Sequence, residues 1–207
     1  MTSLEIDHFA IAAETLAEGV EYVQDTLGVT LSDVGHHAKM GTHNRLLSLG
    51  PSVYLEVIAI DPEAKPPMFP RWFDLDHFRG APRLTNWICR TTNLPAALEL
   101  GPEGSGEPME FVRGNFHWHM GVPANGVLPY GGAFPAMISW HGDAHPCARL
   151  EDQECRLEAL TLGHPEAPNL AATLAAYHIT PEVQIETSGR PKLRLEVQTP
   201  SGTKVLA

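Results

Sequence analysis

A chain of 207 residues that is 43% hydrophobic and 19% charged can bury one sizeable core or two small ones, which excludes disorder as its default state. Acidic residues outnumber basic ones by 25 to 14, a formal net charge of −11, so no basic surface offers itself to nucleic acid or to an anionic membrane. The longest apolar run, Val53 to Ile60, is interrupted by Glu56 and falls far short of the roughly 20 residues that span a bilayer.

Glu5 and Asp7 stand where a secretory leader carries bases and an unbroken apolar stretch, so a cytoplasmic location is expected. Cys89, Cys147 and Cys155 form no CxxC pair, which argues against a disulfide scaffold and a thiolate zinc site and for small buried apolar residues. The unusual residue type is histidine, with 11 copies.

Leu4 to Ala12 alternates with strand period, placing Leu4, Ile6, His8, Ala10 and Ala12 on one face. Thr15 is a plausible N-cap for a helix carrying Leu16, Val20, Val23 and Leu27 on one side, and Gly28 stops it. Three strand-like stretches follow, Thr30 to Met40, His43 to Leu49 and Ser52 to Ile60, so residues 1–61 read β-α-β-β-β.

Residues 62–82 interleave five prolines with Met68, Phe69, Trp72, Phe73 and Phe78. Proline density excludes regular structure there, and the aromatics imply a packed lid or crossover instead of a disordered linker. The pattern then restarts over residues 83–207 with two further βαββ-like units. Arg83 to Thr91 is strand-like, Leu94 to Leu100 helical, and Met109 to Val122 and Phe134 to Trp140 strand-like. A third strand-then-helix unit opens at Cys155 to Leu162, its helix carrying Leu170, Leu174 and Tyr177 on one face, and strands at Lys192 to Gln198 and Thr203 to Leu206 close the chain. The expected class is α+β, with curved mixed sheets built from repeated modules.

Glu56 lies among aliphatic residues on both sides, and a carboxylate there needs a cation, an imidazole or a metal. An internal salt bridge to Arg45 is the structural alternative. His8 sits on the inward face of the first strand and would complete a His/Glu divalent-metal pair with Glu56. His117 and His119 flank Trp118, so period two sends both imidazoles to one face, where they could share a metal or line a cleft. His141 and His145 are weaker candidates, while His36, His37, His164 and His178 fit surface or helix-end positions. No nucleophile elbow, Walker loop or dinucleotide fingerprint occurs.

Three runs, Asp7-His8-Phe9-Ala10-Ile11-Ala12-Ala13, Met40-Gly41-Thr42-His43-Asn44-Arg45-Leu46-Leu47-Ser48-Leu49-Gly50 and Tyr54-Leu55-Glu56-Val57-Ile58-Ala59-Ile60-Asp61, together resemble the glyoxalase-like branch of the vicinal oxygen chelate superfamily. Gly126-Val127-Leu128-Pro129-Tyr130-Gly131-Gly132, Ile138-Ser139-Trp140 with His145-Pro146, and Cys155-Arg156-Leu157-Glu158 extend the likeness over nearly the whole chain. The resemblance implies paired βαβββ-type modules in one glyoxalase-like domain, whose sheets curl around a cavity holding a divalent metal. First-strand and fourth-strand ligands would be His8 and Glu56. Aligning Leu84-Thr85-Asn86-Trp87 with Glu5-Ile6-Asp7-His8 puts Trp87 where the second module would carry a ligand, and tryptophan cannot ligate.

Two functional classes follow. One is an enzyme of lyase, isomerase, hydrolase or dioxygenase type, dependent on Zn, Mn, Fe or Ni, acting on a small oxygen-rich substrate. His8, Glu56 and one of His117, His119 or His141 would hold the metal, with Glu56, His43 and His37 as candidate catalytic groups because imidazole titrates near neutral pH. The other is a metal-free binding or resistance protein with a decayed metal site, its pocket lined by Arg45, Trp87, Trp118, Trp140 and His141. Closure of the cavity within one chain and pairing of modules across a homodimer axis both remain open.

Overall fold

The computed structural model describes residues 2–207. The first module contains β1 (Thr2–Ala12), α1 (Leu16–Leu27), β2 (Gly35–His37), β3 (Thr42–Ser48) and β4 (Tyr54–Ile60). After one 3-10 turn at Trp72–Asp74, the second contains β5 (Arg83–Arg90), α2 (Leu94–Glu99), β6 (Glu107–Arg113), β7 (Phe116–Val122) and β8 (Ala136–Trp140). The remainder contributes β9 (Arg156–His164), α3 (Ala167–Leu174), β10 (Tyr177–Thr180), β11 (Gln184–Thr187), β12 (Lys192–Thr199) and β13 (Gly202–Leu206).

The two modules form one sheet in the order β2-β3-β4-β1-β5-β8-β7-β6, mirrored about an antiparallel β1–β5 seam, with β10 paired to the start of β1. Each module connects its parallel pair, β1 with β4 and β5 with β8, through a helix and a hairpin. This is an α+β fold of paired βαβββ modules. A second sheet, β11-β9-β12-β13, lies apart from it.

Local sequence explains the elements. Thr15 caps α1 in a reciprocal capping box with Glu18, and Gly28 ends it at φ 72°. Gly19 lets α1 approach the sheet, because a Cβ there would stand 2.5 Å from Val57 Cγ1. Three expected stretches are redrawn. Thr30 to Met40 shrinks to the short β2, since residues after His37 turn back to bond its carbonyl from Met40 and Gly41. Met109 to Val122 is a hairpin broken at Gly114, φ 59°. Tyr177 begins β10 instead of extending α3, although its ring joins the same core as Leu170 and Leu174.

Two apolar cores lie on opposite faces of the main sheet. The outer one joins Leu4, Ile6, Phe9, Ile11 and Trp87 to the helices and the second sheet, while the inner one gathers Ala10, Ala12, Ile58, Trp72, Trp118 and Ile138. The first strand therefore departs from simple alternation. Its register against β5 shifts between Ile6 and His8, so Asp7 acts as the extra residue of a bulge. Leu4 and Ile6 face outward with Phe9, whereas His8, Ala10 and Ala12 face inward.

Trp87, expected in the pocket, sits instead in the outer core. It is fully buried, registered with Phe9, and donates from Nε1 to the Ala133 carbonyl at 2.9 Å. Trp87→Ala should lower unfolding free energy by about 3–5 kcal/mol, the usual cost of emptying a large aromatic site. Denaturant unfolding checks this, and a midpoint equal to wild type would contradict the placement.

Candidate functional site

Alternate residues of neighbouring strands meet in a cavity of about 30 Å3 on the inner face. His8 and Tyr54 are registered partners, as are Ala10 and Glu56, which brings the β1 imidazole and the β4 carboxylate to one side of the sheet. His8 Nε2 is 3.8 Å from Glu56 Oε2. His37, from β2, places its Nε2 4.0 Å from the other oxygen. Asn44 donates from Nδ2 to Glu56 Oε1 at 2.6 Å, and Arg113 reaches over from β6 to donate to Asn44 Oδ1 at 3.2 Å.

Both imidazoles are oriented from behind. The Asp7 carboxylate accepts from His8 Nδ1 at 2.6 Å and, through its other oxygen, from Trp140 Nε1 at 3.0 Å and His145 Nε2 at 3.1 Å. Burial alone would push the Asp7 carboxyl up, yet its bonds to His145 and His8 hold it well below the ordinary carboxylate range. Ionised Asp7 orients the His8 ring through Nδ1 and leaves Nε2 facing Glu56. Tyr54 stacks on the His8 ring at 4.4 Å. The Tyr54 hydroxyl is pushed far up by burial and the nearby Asp7 charge. His37 is tied at Nδ1 to Thr42 Oγ1, 3.1 Å away, and burial with the Arg113 charge holds its pKa well below 6.5. It is a neutral ring.

Two imidazoles and a carboxylate facing one cavity are donor types suited to a divalent transition metal. Atoms bound about 2.0–2.2 Å from one ion stand roughly 3–4 Å from one another; His8 Nε2 stands 3.8 Å from Oε2 and His37 Nε2 4.0 Å from Oε1, so each imidazole pairs with a different oxygen of Glu56. In donor chemistry the residues fit the metal that the sequence resemblance implies, and a shared ion would draw the two imidazoles closer together than they stand.

The remaining candidates separate by strand parity. Trp118 and Trp140 line the cavity. His117 and His119 alternate with Trp118 and so project from the opposite face, where His117 meets Glu110 at 2.6 Å and His119 meets His141 at 2.6 Å. They do not join His8 and Glu56. His43 and Arg45 also face away, into a pocket of about 650 Å3 beside α1. Arg45 is thus no partner for Glu56. The second imidazole at the cavity is His37, which the sequence offers only as a general-base or surface candidate. The available signal was its neighbour: in His36-His37 one ring must face inward. Asp7, Asn44 and Arg113 were missed because each acts through another side chain.

The glyoxalase-like domain family model matches residues 6–178. No curated protein matches the chain. Among solved structures, a hypothetical protein from Staphylococcus aureus is 14% identical and superposes over 91% of this chain and 88% of its own, with a TM-score of 0.58. At that identity the likeness shows the fold alone. Methylmalonyl-CoA epimerase from Mycobacterium tuberculosis is 17% identical over 67% of this chain and 88% of its own, with a TM-score of 0.44.

The low pKa of His37 has a stability signature. An unfolded imidazole takes up a proton below about pH 6.5, which buried His37 refuses, so falling pH favours the unfolded chain through this group. In chelator-treated protein, unfolding free energy should decline from about pH 6.5 downward, and His37→Gln should flatten that decline. Denaturant titrations over a pH series measure both slopes, and equal slopes would contradict the assignment.

Proposed function

The chain belongs to the glyoxalase-like domain family, and from that premise we propose that it is a divalent-metal-dependent enzyme acting on a small oxygen-rich substrate. One observation carries the reading: two imidazoles, each held at Nδ1 by a neighbouring group, turn their Nε2 atoms toward the two oxygens of a single buried carboxylate. His8, His37 and Glu56 would hold the ion. When bound, the ion would act as a Lewis acid on substrate oxygens and stabilise negative charge developing there.

The surrounding residues supply binding and orientation. Asp7 orients the His8 ring through Nδ1, a support of the kind that raises ligand basicity at metal centres. Asn44 anchors one oxygen of Glu56, which keeps the carboxylate from rotating away. Arg113 brings a positive charge to the cavity wall and would draw in an anionic or enolate-like oxygen. Trp72 also lines the cavity, and its Nε1 is buried without an acceptor among the described residues. A buried donor left unpaired is costly, and a substrate oxygen would satisfy it.

The cavity has room for an ion or about two waters, far less than the several hundred Å3 of an ordinary substrate pocket. Admission of a larger substrate would involve the 62–82 crossover, whose Trp72 and Phe73 form part of the cavity wall. Phe73 and Asp74 there hold φ of 59° and 54°, a conformation that non-glycine residues adopt only when their surroundings enforce it.

Metal analysis of protein purified without a metal-binding tag tests the proposal. His8→Ala, His37→Ala and Glu56→Ala should each lose one equivalent of ion that the wild type retains through dialysis. Unchanged stoichiometry in all three would end it, and ligand-induced thermal stabilisation persisting in chelator would then favour a metal-free binding protein. Asp7→Asn should keep the stoichiometry while weakening affinity by about 10–100-fold, the usual effect of removing an outer-shell partner. Competition with a metallochromic chelator measures that shift, and wild-type affinity would remove Asp7 from this role.

A further inference from the structure

The strands that build the cavity carry a second set of ligating side chains on their other face. In β2, His37 points inward and His36 outward; in β3, Asn44 points inward and His43 outward. His36 and His43 are registered partners across the β2–β3 pair. Asp61, directly after β4, completes the group: its Oδ2 is 2.8 Å from His36 Nδ1 and its Oδ1 is 3.9 Å from His43 Nδ1. Among the described residues, these three bring one ligand atom each within 4.8 Å of one another.

We propose that His36, His43 and Asp61 form a second divalent-transition-metal site, separate from the cavity and on the opposite face of the sheet. Two imidazoles and one carboxylate on a single side of an ion leave its other positions open, a donor pattern suited to imidazole-binding metals. Asp61 is fixed for the purpose. It is 6% exposed, and the Glu63 amide donates to its Oδ1 at 3.0 Å, which holds the carboxylate plane while lone pairs remain for an ion. Access is graded: Asp61 is buried, His43 partly so, and His36 open to solvent. His43 also lines the 650 Å3 pocket between α1 and β3, with Leu16, Val20 and Arg45 among its walls. Open coordination positions would therefore be reachable from solvent and from that pocket.

The site would also act on the cavity. β2 is a three-residue edge strand, and an ion bound by His36 would pin it to β3 and to the end of β4. His37 is the next residue, so the position of the inner imidazole would be fixed through the outer one.

The experiment uses Zn2+ as probe and full-length, tag-free Glu56→Gln protein, in which the cavity donor set is broken. Calorimetric titration of this protein should show one Zn2+ equivalent, and Zn2+ should raise its Tm. Adding His36→Gln, an exposed change that leaves the fold intact, should weaken binding by at least about 10-fold and abolish the Tm shift. Adding Asp61→Asn should do the same. Absence of Zn2+ binding in the Glu56→Gln protein would overturn the proposal, as would equal binding with and without His36→Gln. Loss of binding on adding His141→Gln, with His36→Gln neutral, would overturn it in favour of the His119/His141 pair. The cavity reading fails on a different comparison, that of wild type with Glu56→Gln.

Discussion

The inner site depends on one buried carboxylate. Asp7 is fully buried and ionised, and it is kept so by donors converging from His8, Trp140 and His145, with the Arg90 guanidinium 3.6 Å away. Those donors come from β1, β5, the end of β8 and the loop after it, so the charge holds the β1–β5 seam together at the point where the two modules join. Removing one partner of such a group would leave an uncompensated charge in an apolar interior, which costs far more than a surface pair contributes. The same residue is the bulge that turns His8 inward. Without the extra residue, continuous alternation from Leu4 would carry His8 to the outer core with Leu4 and Ile6.

Fold class was largely legible because period-two and helical spacing, caps and turn residues act locally. Thr15, Gly28 and the Glu56-containing strand mark their own elements. What local pattern cannot show is which face of a strand looks inward when both faces are covered. β1 and β4 are buried on both sides, and β3 carries polar residues on both (Thr42 and Asn44 on one, His43 and Arg45 on the other), so His43 and Arg45 could be assigned to the cavity although they stand behind it. His117 and His119 posed the same problem on β7. Their even spacing correctly puts them on one face, but the aromatic Phe116, Trp118 and Met120 set takes the inner side. The bulge at Asp7 is invisible to periodicity, since nothing in a polar residue before a histidine announces an inserted register. His8 reached the cavity side for a reason that the alternation argument did not contain.

The cavity is built unevenly. Its imidazoles and carboxylate come from β1, β2 and β4 with Asn44 from β3, while the second module supplies Arg113 with Trp118, Met120, Ile138 and Trp140. Carboxylate and imidazole donors on one wall and indole and aliphatic surface on the other would orient a substrate, with oxygens toward Glu56 and carbon toward the tryptophans. The β5 positions facing inward, Asn86 and Ile88, carry no imidazole. In the proposed site His37 would take up that deficit from within the first module, so the proposed donor set would need no residue from the second half of the chain.

A two-sided strand set has a mechanical consequence. β2, β3 and β4 present His37, Asn44 and Glu56 inward and His36, His43 and Asp61 outward. Backbone displacement of β2 large enough to alter the outer group must also move the inner one, because adjacent residues share a peptide plane and cannot shift independently. Arg113 bridges to the same edge through Asn44 and approaches His37 Nε2 at 3.4 Å, so the position of β2 also sets how closely the guanidinium stands to the donor atoms. Charge placed on the outer face would thus reach the inner chemistry by geometry: the short edge strand is the element that both faces hold in common, and its packing against β3 decides where the His37 imidazole stands.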